Sequence, residues 1–392
     1  MAIIVKKFGG TSLGSIELIR NIAHRIAHEA GKGDALVLVV SAMAKTTDDL
    51  INLAYQISEH PSRRELDMLL TAGERISMSL LSLALQEEGY SSISFTGSQS
   101  GIITDERHGN ARILNVNAFR IKEELDKGKI VIVAGFQGVS QSKEITTLGR
   151  GGSDTSAVAL ACYLQAKKCE IYTDVDGVYT ADPKIVSNAK LLPAIDYSQM
   201  LALSYNGSKV IHPRAVEFAY KYSIPVEIKS SFTFAPGTML IQEESFEEEK
   251  NMEERHITAV AHKENLLSYI IPETAETIDL LKIWNWEIFK YLAIENQLEL
   301  IIEEKYDKEI RYLLSQKEIP ILKTENGIGY VTLVGLGINL DPSFLADTLK
   351  LCQPFHIKRI QHSDKTIEIM LPSSEVKDCV RTLHSAFIGS EK

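Results

Sequence analysis

Residues 145–161 read ITTLGRGGSDTSAVALA. Gly149, Gly151 and Gly152 surround Arg150, and Ser153 and Asp154 then open an apolar run, Ala157-Val158-Ala159-Leu160-Ala161, of helical character. A glycine-rich turn feeding a helix N-terminus forms a nest of backbone N–H groups, which together with the helix dipole favours bound anions. The ligand predicted for this stretch carries phosphate, carboxylate or both. Arg150 adds a planar fork suited to bidentate binding of either group, which lysine cannot reproduce. Asp154 calls for an answering lysine or metal. Taken alone, the stretch also fits a flexible loop with Ser153 or Asp154 as helix N-cap, so the rest of the chain has to decide.

Upstream, Ile3-Ile4-Val5-Lys6-Lys7-Phe8 is strand-like and leads through Gly9-Gly10-Thr11-Ser12 into a helical pattern at Ile16, Ile19, Ile22 and Ile26. Strand, glycine turn and helix form a phosphate-binding layout, with Lys7 placed just before the turn. ALVLVV at Ala35–Val40 is a continuous apolar run, as expected of a parallel strand covered on both faces. Ser41 and Thr47 follow it, where open α/β sheets bind ligands. A long helical pattern runs from Arg64 to Gly89, interrupted at Thr71–Arg75; Glu74 in that interruption reads, by itself, as a surface glutamate. Lys129–Ala134 and Cys169–Val175 are further strands, a helix begins near Pro213, and Val226–Ile228 is another strand. Strands alternating with helices make residues 1 to about 242 an α/β domain with a mainly parallel sheet.

The acidic, apolar-poor run 243–255 (EESFEEEKNMEER) reads as a linker. Beyond it the units shorten. Leu266–Ile271, Thr274–Trp284, Glu287–Ile294, Gln297–Glu303 and Tyr306–Gln316 read strand, helix, strand, strand, helix. Tyr330–Val334, Asp341–Leu351, Phe355–Ile360, Thr366–Leu371 and Ser374–Ala386 repeat the order. This predicts two ferredoxin-like α+β modules in tandem, about 266–323 and 330–392.

The composition of the 392 residues, 44% hydrophobic and 24% charged, is that of a soluble globular protein of two or three domains. A net charge of −10 argues against nucleic acid and polybasic membrane binding. No apolar run reads as a membrane span and the N-terminus lacks signal-peptide character, so the expected location is the cytoplasm. Cys162, Cys169, Cys352 and Cys379 form no C-x-x-C pair and read as buried free thiols. No P-loop motif occurs, and neither Gly149-Arg150-Gly151 nor Gly335-Leu336-Gly337 completes a dinucleotide fingerprint. The histidines show no metal-ligand spacing, and His212 before Pro213 reads as structural.

In order, Lys7-Phe8-Gly9-Gly10-Thr11-Ser12, Ser41 with Thr47, Gly73-Glu74, Thr147 to Asp154, Thr173 to Lys184 (TDVDGVYTADPK) and Gly207-Ser208-Lys209-Val210-Ile211-His212-Pro213 resemble the aspartate kinases of the amino-acid kinase family. The resemblance covers the first 242 residues strongly. The C-terminal modules resemble, more loosely, the paired ACT domains that follow this kinase domain. It implies the amino-acid kinase fold, a mainly parallel sheet in an α/β/α sandwich. It also implies phosphoryl transfer from ATP, with Mg²⁺, to the side-chain carboxylate of L-aspartate, the first step towards lysine, threonine and methionine. An acceptor already ionised at pH 7 needs no general base, which suits a site of glycines, lysine, arginine and hydroxyls.

By the same resemblance, Lys7 and Asp154 are catalytic, Lys7 lying across the transferring phosphoryl with the Gly9 and Gly10 amides and Asp154 orienting it. Arg150 would clamp the α-carboxylate of aspartate, Glu74 would accept from its ammonium, and Ser41, Thr47 and Ser153 would hydrogen-bond its carboxylates. Thr173, Asp174, Tyr179, Lys184 and Lys209 match nucleotide-contacting positions. No protein ligand to a metal is expected, Mg²⁺ being held by phosphate oxygens and water. A homodimer through the ACT modules and an amino-acid effector also follow from the resemblance. The first module departs from the ACT pattern, with Ile271-Pro272-Glu273-Thr274 lacking glycine; the second keeps Gly335, Gly337 and Asp341-Pro342 but not Pro-Gly. The alternatives are a sister kinase acting on glutamate, acetylglutamate, carbamate or UMP, and a silent amino-acid sensor. A sensor would be marked by loss of Lys7, Arg150 or Asp154, and all three are present.

Overall fold

The computed structural model describes residues 2–31, 33–242, 256–283, 288–338 and 341–389. The acidic run 243–255 and the ends of two predicted elements, Trp284 and Glu287, lie outside the described residues. The chain divides into two compact units. One comprises Met1–Val178, Leu191–Leu201 and Lys209–Glu249; the other comprises Tyr179–Lys190, Ala202–Ser208 and Lys250–Lys392.

The elements before the acidic run are, in order, β1 (Ile3–Phe8), α1 (Ile16–Ala30), β2 (Ala35–Val40), α2 (Thr46–Ile57), α3 (Arg63–Leu70), α4 (Ala72–Glu87), β3 (Ser92–Phe95), β4 (Ile102–Thr104) and β5 (Ile113–Val116). There follow α5 (Phe119–Asp126), β6 (Ile130–Ala134), β7 (Gln137–Ser140), β8 (Ile145–Thr147), α6 (Gly152–Leu164), β9 (Lys168–Thr173), β10 (Ala194–Asp196), α7 (Tyr197–Tyr205), α8 (Pro213–Tyr222), β11 (Val226–Ser230) and β12 (Thr238–Ile241).

Eight strands form the main sheet of the first unit in the order β10-β12-β11-β9-β1-β2-β6-β3. The five neighbouring pairs from β11 to β3 are all parallel, and only β12 runs antiparallel to β11. All six residues of β2 are buried, as its unbroken apolar run requires in a sheet covered on both faces. Helix α1 starts at Ser15, whose Oγ accepts from the Leu18 N–H at 3.3 Å. Its Ile19, Ile22 and Ile26 join Phe8, Leu38 and Val40 of the sheet and Leu81 and Leu85 of α4 in one core. Because the strands are parallel, the chain leaves β1, β2, β6 and β9 at the same edge, through Gly9, Ser41, Gly135 and Asp174. A separate four-stranded sheet, β5-β4-β7-β8, is built from pieces too short to show periodicity in sequence.

Arg63–Glu87 is long enough to cross a membrane and contains an 18-residue window of mean hydropathy 1.3. It is two helices joined at Thr71, with half of its most apolar window buried, and serves as core structure.

In the second unit, β13 (His256–Pro272), α9 (Ala275–Ile283), β14 (Ile288–Ile294), β15 (Gln297–Glu303) and α10 (Asp307–Gln316) repeat as β16 (Lys323–Leu336), α11 (Pro342–Leu351), β17 (Arg359–His362), β18 (Thr366–Pro372) and α12 (Val376–Phe387). The strand, helix, strand, strand, helix order is the predicted one. The two repeats share a six-stranded sheet, β14-β15-β13-β16-β18-β17, because β13 and β16 pair with each other over much of their length. β17 starts at Arg359 instead of Phe355; Phe355 and Ile357 pack against the core from the preceding turn. Alternate residues of the sheet, among them Leu267, Tyr269, Leu300, Val331 and Ile369, belong to the cores that hold Leu280, Ile310, Val380 and Leu383 of the helices.

The segment Tyr179–Lys190 is part of this unit. Its Ala181, Ile185 and Val186 belong to the core formed with Val376, Val380 and Leu383. The Val260 N–H donates to the Thr180 carbonyl at 2.8 Å, and Thr180 Oγ1 lies 2.9 Å from Nε2 of the buried His384.

Candidate active site

The glycine-rich turn that ends at α6 is shaped by backbone conformation. Gly149 and Gly151 have φ of +76° and +63°, the left-handed region, and a Cβ on Gly151 would stand 2.3 Å from the His212 side chain. Helix α6 is buried almost all round, so its N-terminus is fixed under β1 instead of fraying. The Gly152 N–H donates to the Gly149 carbonyl at 3.0 Å and that of Thr155 to Gly151 at 3.1 Å, so the first-turn amides without a helix carbonyl to donate to, suited to an anion, are those of Ser153 and Asp154.

Asp154, in that first turn, receives Lys7 from β1: Nζ stands 2.7 Å from Oδ1, with both side chains nearly buried. Asp154 Oδ2 accepts from the His212 N–H at 3.3 Å. The lysine that the acidic residue called for is therefore supplied by the neighbouring strand. Gly9 lies under the ammonium, where a Cβ would come within 3.5 Å of Lys7 Nζ. The Gly9 N–H donates to the Tyr172 carbonyl at 3.2 Å, so of the two amides expected to meet a phosphoryl group, Gly9's is already engaged. Gly10 packs on the turn after β2, its Cβ position being 2.8 Å from the Ala42 carbonyl oxygen.

Glu74 is not a surface residue. It is 3% exposed, and Oε1 accepts from the Ala42 N–H at 3.1 Å while Oε2 is buried without a partner. Gly73 allows this approach, since a Cβ there would lie 2.7 Å from that of Ala42. Burial pushes the Glu74 carboxyl up to about 7, against the lowering effect of its backbone hydrogen bonds. An orphaned, buried carboxylate oxygen is a vacancy for a cationic donor.

Ser153 is buried, so close to Gly135 that a Cβ on the latter would stand 2.8 Å from Ser153 Oγ. Ser41 leaves β2 half-buried and Thr47 sits in the first turn of α2, also half-buried. Thr173 ends β9, its Oγ1 donating to Asp174 Oδ1 at 3.2 Å, and Asp174 is exposed. Arg150 is exposed and makes no hydrogen bond or ion pair among the described residues. Lys209 is exposed ahead of α8. Tyr179 and Lys184 lie on the segment that belongs to the second unit, Tyr179 half-buried and Lys184 exposed. Direct contacts thus tie Lys7 to Asp154 and Glu74 to the turn after Ser41. Arg150 and Lys209 face solvent.

Two residues not anticipated, Asp67 and Arg214, hold the site together with His212. Asp67 is fully buried and accepts from Thr147 Oγ1 at 2.5 Å and from the Gly109 N–H at 3.1 Å, with His108 Nδ1 at 2.7 Å. Its spacing of three to Leu70 and seven to Glu74 places it on the buried helical face, a signal readable in sequence. Arg214 donates from Nη1 to the Leu148 carbonyl at 2.6 Å and from Nη2 to that of Ala111 at 2.8 Å, pinning the strand end before Gly149. His212 caps α8, its Nδ1 accepting from the Arg214 N–H at 3.3 Å, and burial lowers its basicity. Its structural reading holds.

Residues 2–230 match the model of the amino acid kinase family. An aspartokinase of Geobacillus stearothermophilus is 43% identical over 99% of this chain and 97% of its own, and aspartokinase 2 of Bacillus subtilis is 42% identical over 99% and 98%. Escherichia coli aspartokinase III, solved with aspartate and ADP, superposes with a TM-score of 0.81 at 24% identity over 98% of this chain and 99% of its own. The same enzyme solved with lysine and aspartate gives 0.73. The chain belongs to the aspartokinases of the amino acid kinase family.

Proposed function

We propose that the protein is an aspartate kinase, transferring the γ-phosphoryl group of ATP to the side-chain carboxylate of L-aspartate to give 4-phospho-L-aspartate and ADP. The observation that carries this reading is the pairing of two opposite vacancies at one sheet edge. Lys7 Nζ is paired with Asp154 at 2.7 Å beside a glycine turn, and Glu74 keeps a buried oxygen open. The first suits a phosphoryl group and the second an ammonium, and L-aspartate phosphorylated by ATP presents both.

The attacking carboxylate brings its own negative charge, so the site's task is to bring two anions together. Lys7 Nζ neutralises charge on the transferring phosphoryl, and Asp154 fixes the ammonium in place. The Gly10 amide and those of Ser153 and Asp154 in the first turn of α6 supply further donors. Glu74 takes the α-ammonium through Oε2, Arg150 turns in from solvent to clamp the α-carboxylate, and Ser41, Thr47 and Ser153 complete the carboxylate contacts. Thr173, Asp174, Tyr179, Lys184 and Lys209 are proposed for the nucleotide. Among the described residues no group of three or more His, Cys, Asp or Glu could hold a metal. Mg²⁺ is proposed to enter with ATP on phosphate oxygens and water, adding charge neutralisation.

By family membership we extend the proposal to two ACT modules after the acidic run, to a homodimer formed through them, to control by an amino acid, and to a cytoplasmic location. Gly335 contributes to strand packing, a Cβ there lying 2.1 Å from the His256 carbonyl oxygen, so of the two glycines in the second loop Gly337, with φ of +65°, is the one shaped for a turn. ADP release assayed in parallel with L-aspartate, L-glutamate and N-acetyl-L-glutamate tests the reading. Turnover with aspartate alone is expected, and equal or greater turnover with either of the others would overturn it.

A further inference from the structure

The glycine turn that follows β1 is tied to the end of β9, and the turn after β11 makes part of the tie. Beyond the direct bond from the Gly9 N–H to the Tyr172 carbonyl, Ser12, buried at the far side of the glycine turn, donates from Oγ to Oγ of Ser231 at 2.8 Å. Ser231 is buried as well. Its Oγ donates to the Thr173 carbonyl at 3.1 Å, and its N–H donates to the same oxygen at 2.9 Å. A carbonyl can only accept, so donation runs from Ser12 to Ser231 to Thr173 and each hydroxyl proton has one defined acceptor.

The turn that supplies Ser231 is held in a demanding conformation. Ser230 Oγ accepts from the Phe232 and Thr233 N–H groups at 3.2 and 3.4 Å. Phe234 has φ of +57°, in the left-handed region, which a bulky side chain enters only where its surroundings impose it. Those surroundings are the Tyr172 ring, with centroids 4.9 Å apart, and the Arg25 guanidinium, 3.9 Å from the Phe234 ring. Strand pairing does not require the conformation, because β11 ends at Ser230. Tyr172 and Thr173 are the last two residues of β9, so the turn holds that strand end twice, by a ring contact and by a hydroxyl.

We propose that Ser12 and Ser231 are positioning residues for the nucleotide, a role that rests on the reading of Thr173 and Asp174 as nucleotide residues given above. The two hydroxyls set the separation between the glycine turn, where Lys7 and Gly10 meet the transferring phosphoryl, and the strand end at Thr173-Asp174. Being buried and spent on one another and on a backbone carbonyl, they act through the main chain and not by touching the ligand. The aspartate residues are held by other bonds: Glu74 by the Ala42 N–H, and the strand end before Arg150 by Arg214. Loss of either serine hydroxyl therefore bears on the nucleotide and spares aspartate.

Titration of the full-length protein with MgADP, together with steady-state kinetics, tests this in Ser231→Ala, Ser12→Ala, the double variant and Asp174→Ala. Ser231→Ala breaks both hydroxyl bonds and leaves the Ser12 hydroxyl buried without an acceptor, so the ADP Kd and the ATP KM should rise about tenfold or more. Ser12→Ala keeps the bond to Thr173 and should raise them about two- to fivefold. The double variant should be no worse than Ser231→Ala, because the Ser12 hydroxyl acts only through Ser231. The aspartate KM should stay parent-like in all three, a split that general loss of structure would not produce. If Ser231→Ala folds poorly, Ser12→Ala decides by the same split. The proposal falls if ADP affinity is parent-like in the serine variants, if the aspartate KM rises by the same factor, or if the two single losses multiply in the double variant. Should Asp174→Ala weaken ADP while the serine variants do not, the relay alone is wrong; parent-like ADP affinity in Asp174→Ala would remove the reading of the strand end and the relay with it.

Discussion

Lys7 Nζ and Asp154 Oδ1 stand 2.7 Å apart, joining the second-last residue of the central strand to the first turn of the most buried helix. On the proposed reading neither side chain needs to move to meet a phosphoryl group, which is the condition under which fixed charge lowers a barrier most. Lys7→Ala should lower kcat about a hundredfold or more with a smaller change in the aspartate KM. Asp154→Asn should lower kcat in the same direction by releasing the ammonium from its position. Steady-state kinetics on both variants check this, and parent-like kcat in Lys7→Ala would remove the residue from the reaction.

Glu74 gives a pH signature. Its carboxyl titrates near 7 in the folded protein against an ordinary 4.5, so between those values the native state binds more proton than the unfolded chain. Stability of the free enzyme from this group is therefore full below about 4.5 and falls as pH rises to 7, by at most about 1.4 kcal/mol per unit. Glu74→Gln should remove that slope, as seen in urea midpoints from pH 5 to 8.

The same group links substrate binding to protons. An ammonium placed at Oε2 favours the carboxylate, so aspartate binding near pH 6 should release up to one proton from the parent protein and none from Glu74→Gln. Titration calorimetry in two buffers of different ionisation enthalpy reads the difference directly. ATP affinity should be unchanged in the variant.

Arg150 separates binding from folding. Being exposed and without partners among the described residues, it can be changed to lysine without loss of stability. The lost fork should weaken aspartate binding by about 1.5–3 kcal/mol. An Arg150→Lys protein with a parent-like aspartate KM would exclude the clamp.

Gly151→Ala tests the turn. A methyl group there meets His212 at 2.3 Å and forces a left-handed conformation, which costs about 1–2 kcal/mol by itself. Thermal unfolding should show a lower midpoint, and activity should fall with it because Asp154 loses the His212 amide.

Much of the first unit could be read in the chain because its strands are buried on both faces. ALVLVV admits one environment, and IVIVA of β6 is likewise buried at every residue. The short strands at Ile102–Thr104 and Ile145–Thr147 were not legible, as three residues show no period. β13 reads from sequence as a short strand starting at Leu266, because His262-Lys263-Glu264-Asn265 is polar and the pairing shifts register there. At the site, the residue types were legible and their partners were not. That Gly9's amide belongs to Tyr172, or that Arg214 holds Leu148, depends on contacts between distant stretches. Glu74 lies between these cases: its helical spacing from Asp67 marks a buried face, but a lone glutamate in an interrupted helix does not announce it.

The three apolar residues Ala181, Ile185 and Val186, supplied from the middle of the N-terminal half to a core otherwise made after 256, limit how the chain can be recombined. A fragment ending at 242 would carry them without Val376, Val380 and Leu383 and would be prone to self-association. A chimaera that took its C-terminal half from a relative would inherit a mismatched core unless 179–190 travelled with it. Sequence change in α12 and in that segment should therefore be correlated among relatives, since a side chain enlarged on one has to be accommodated by the other.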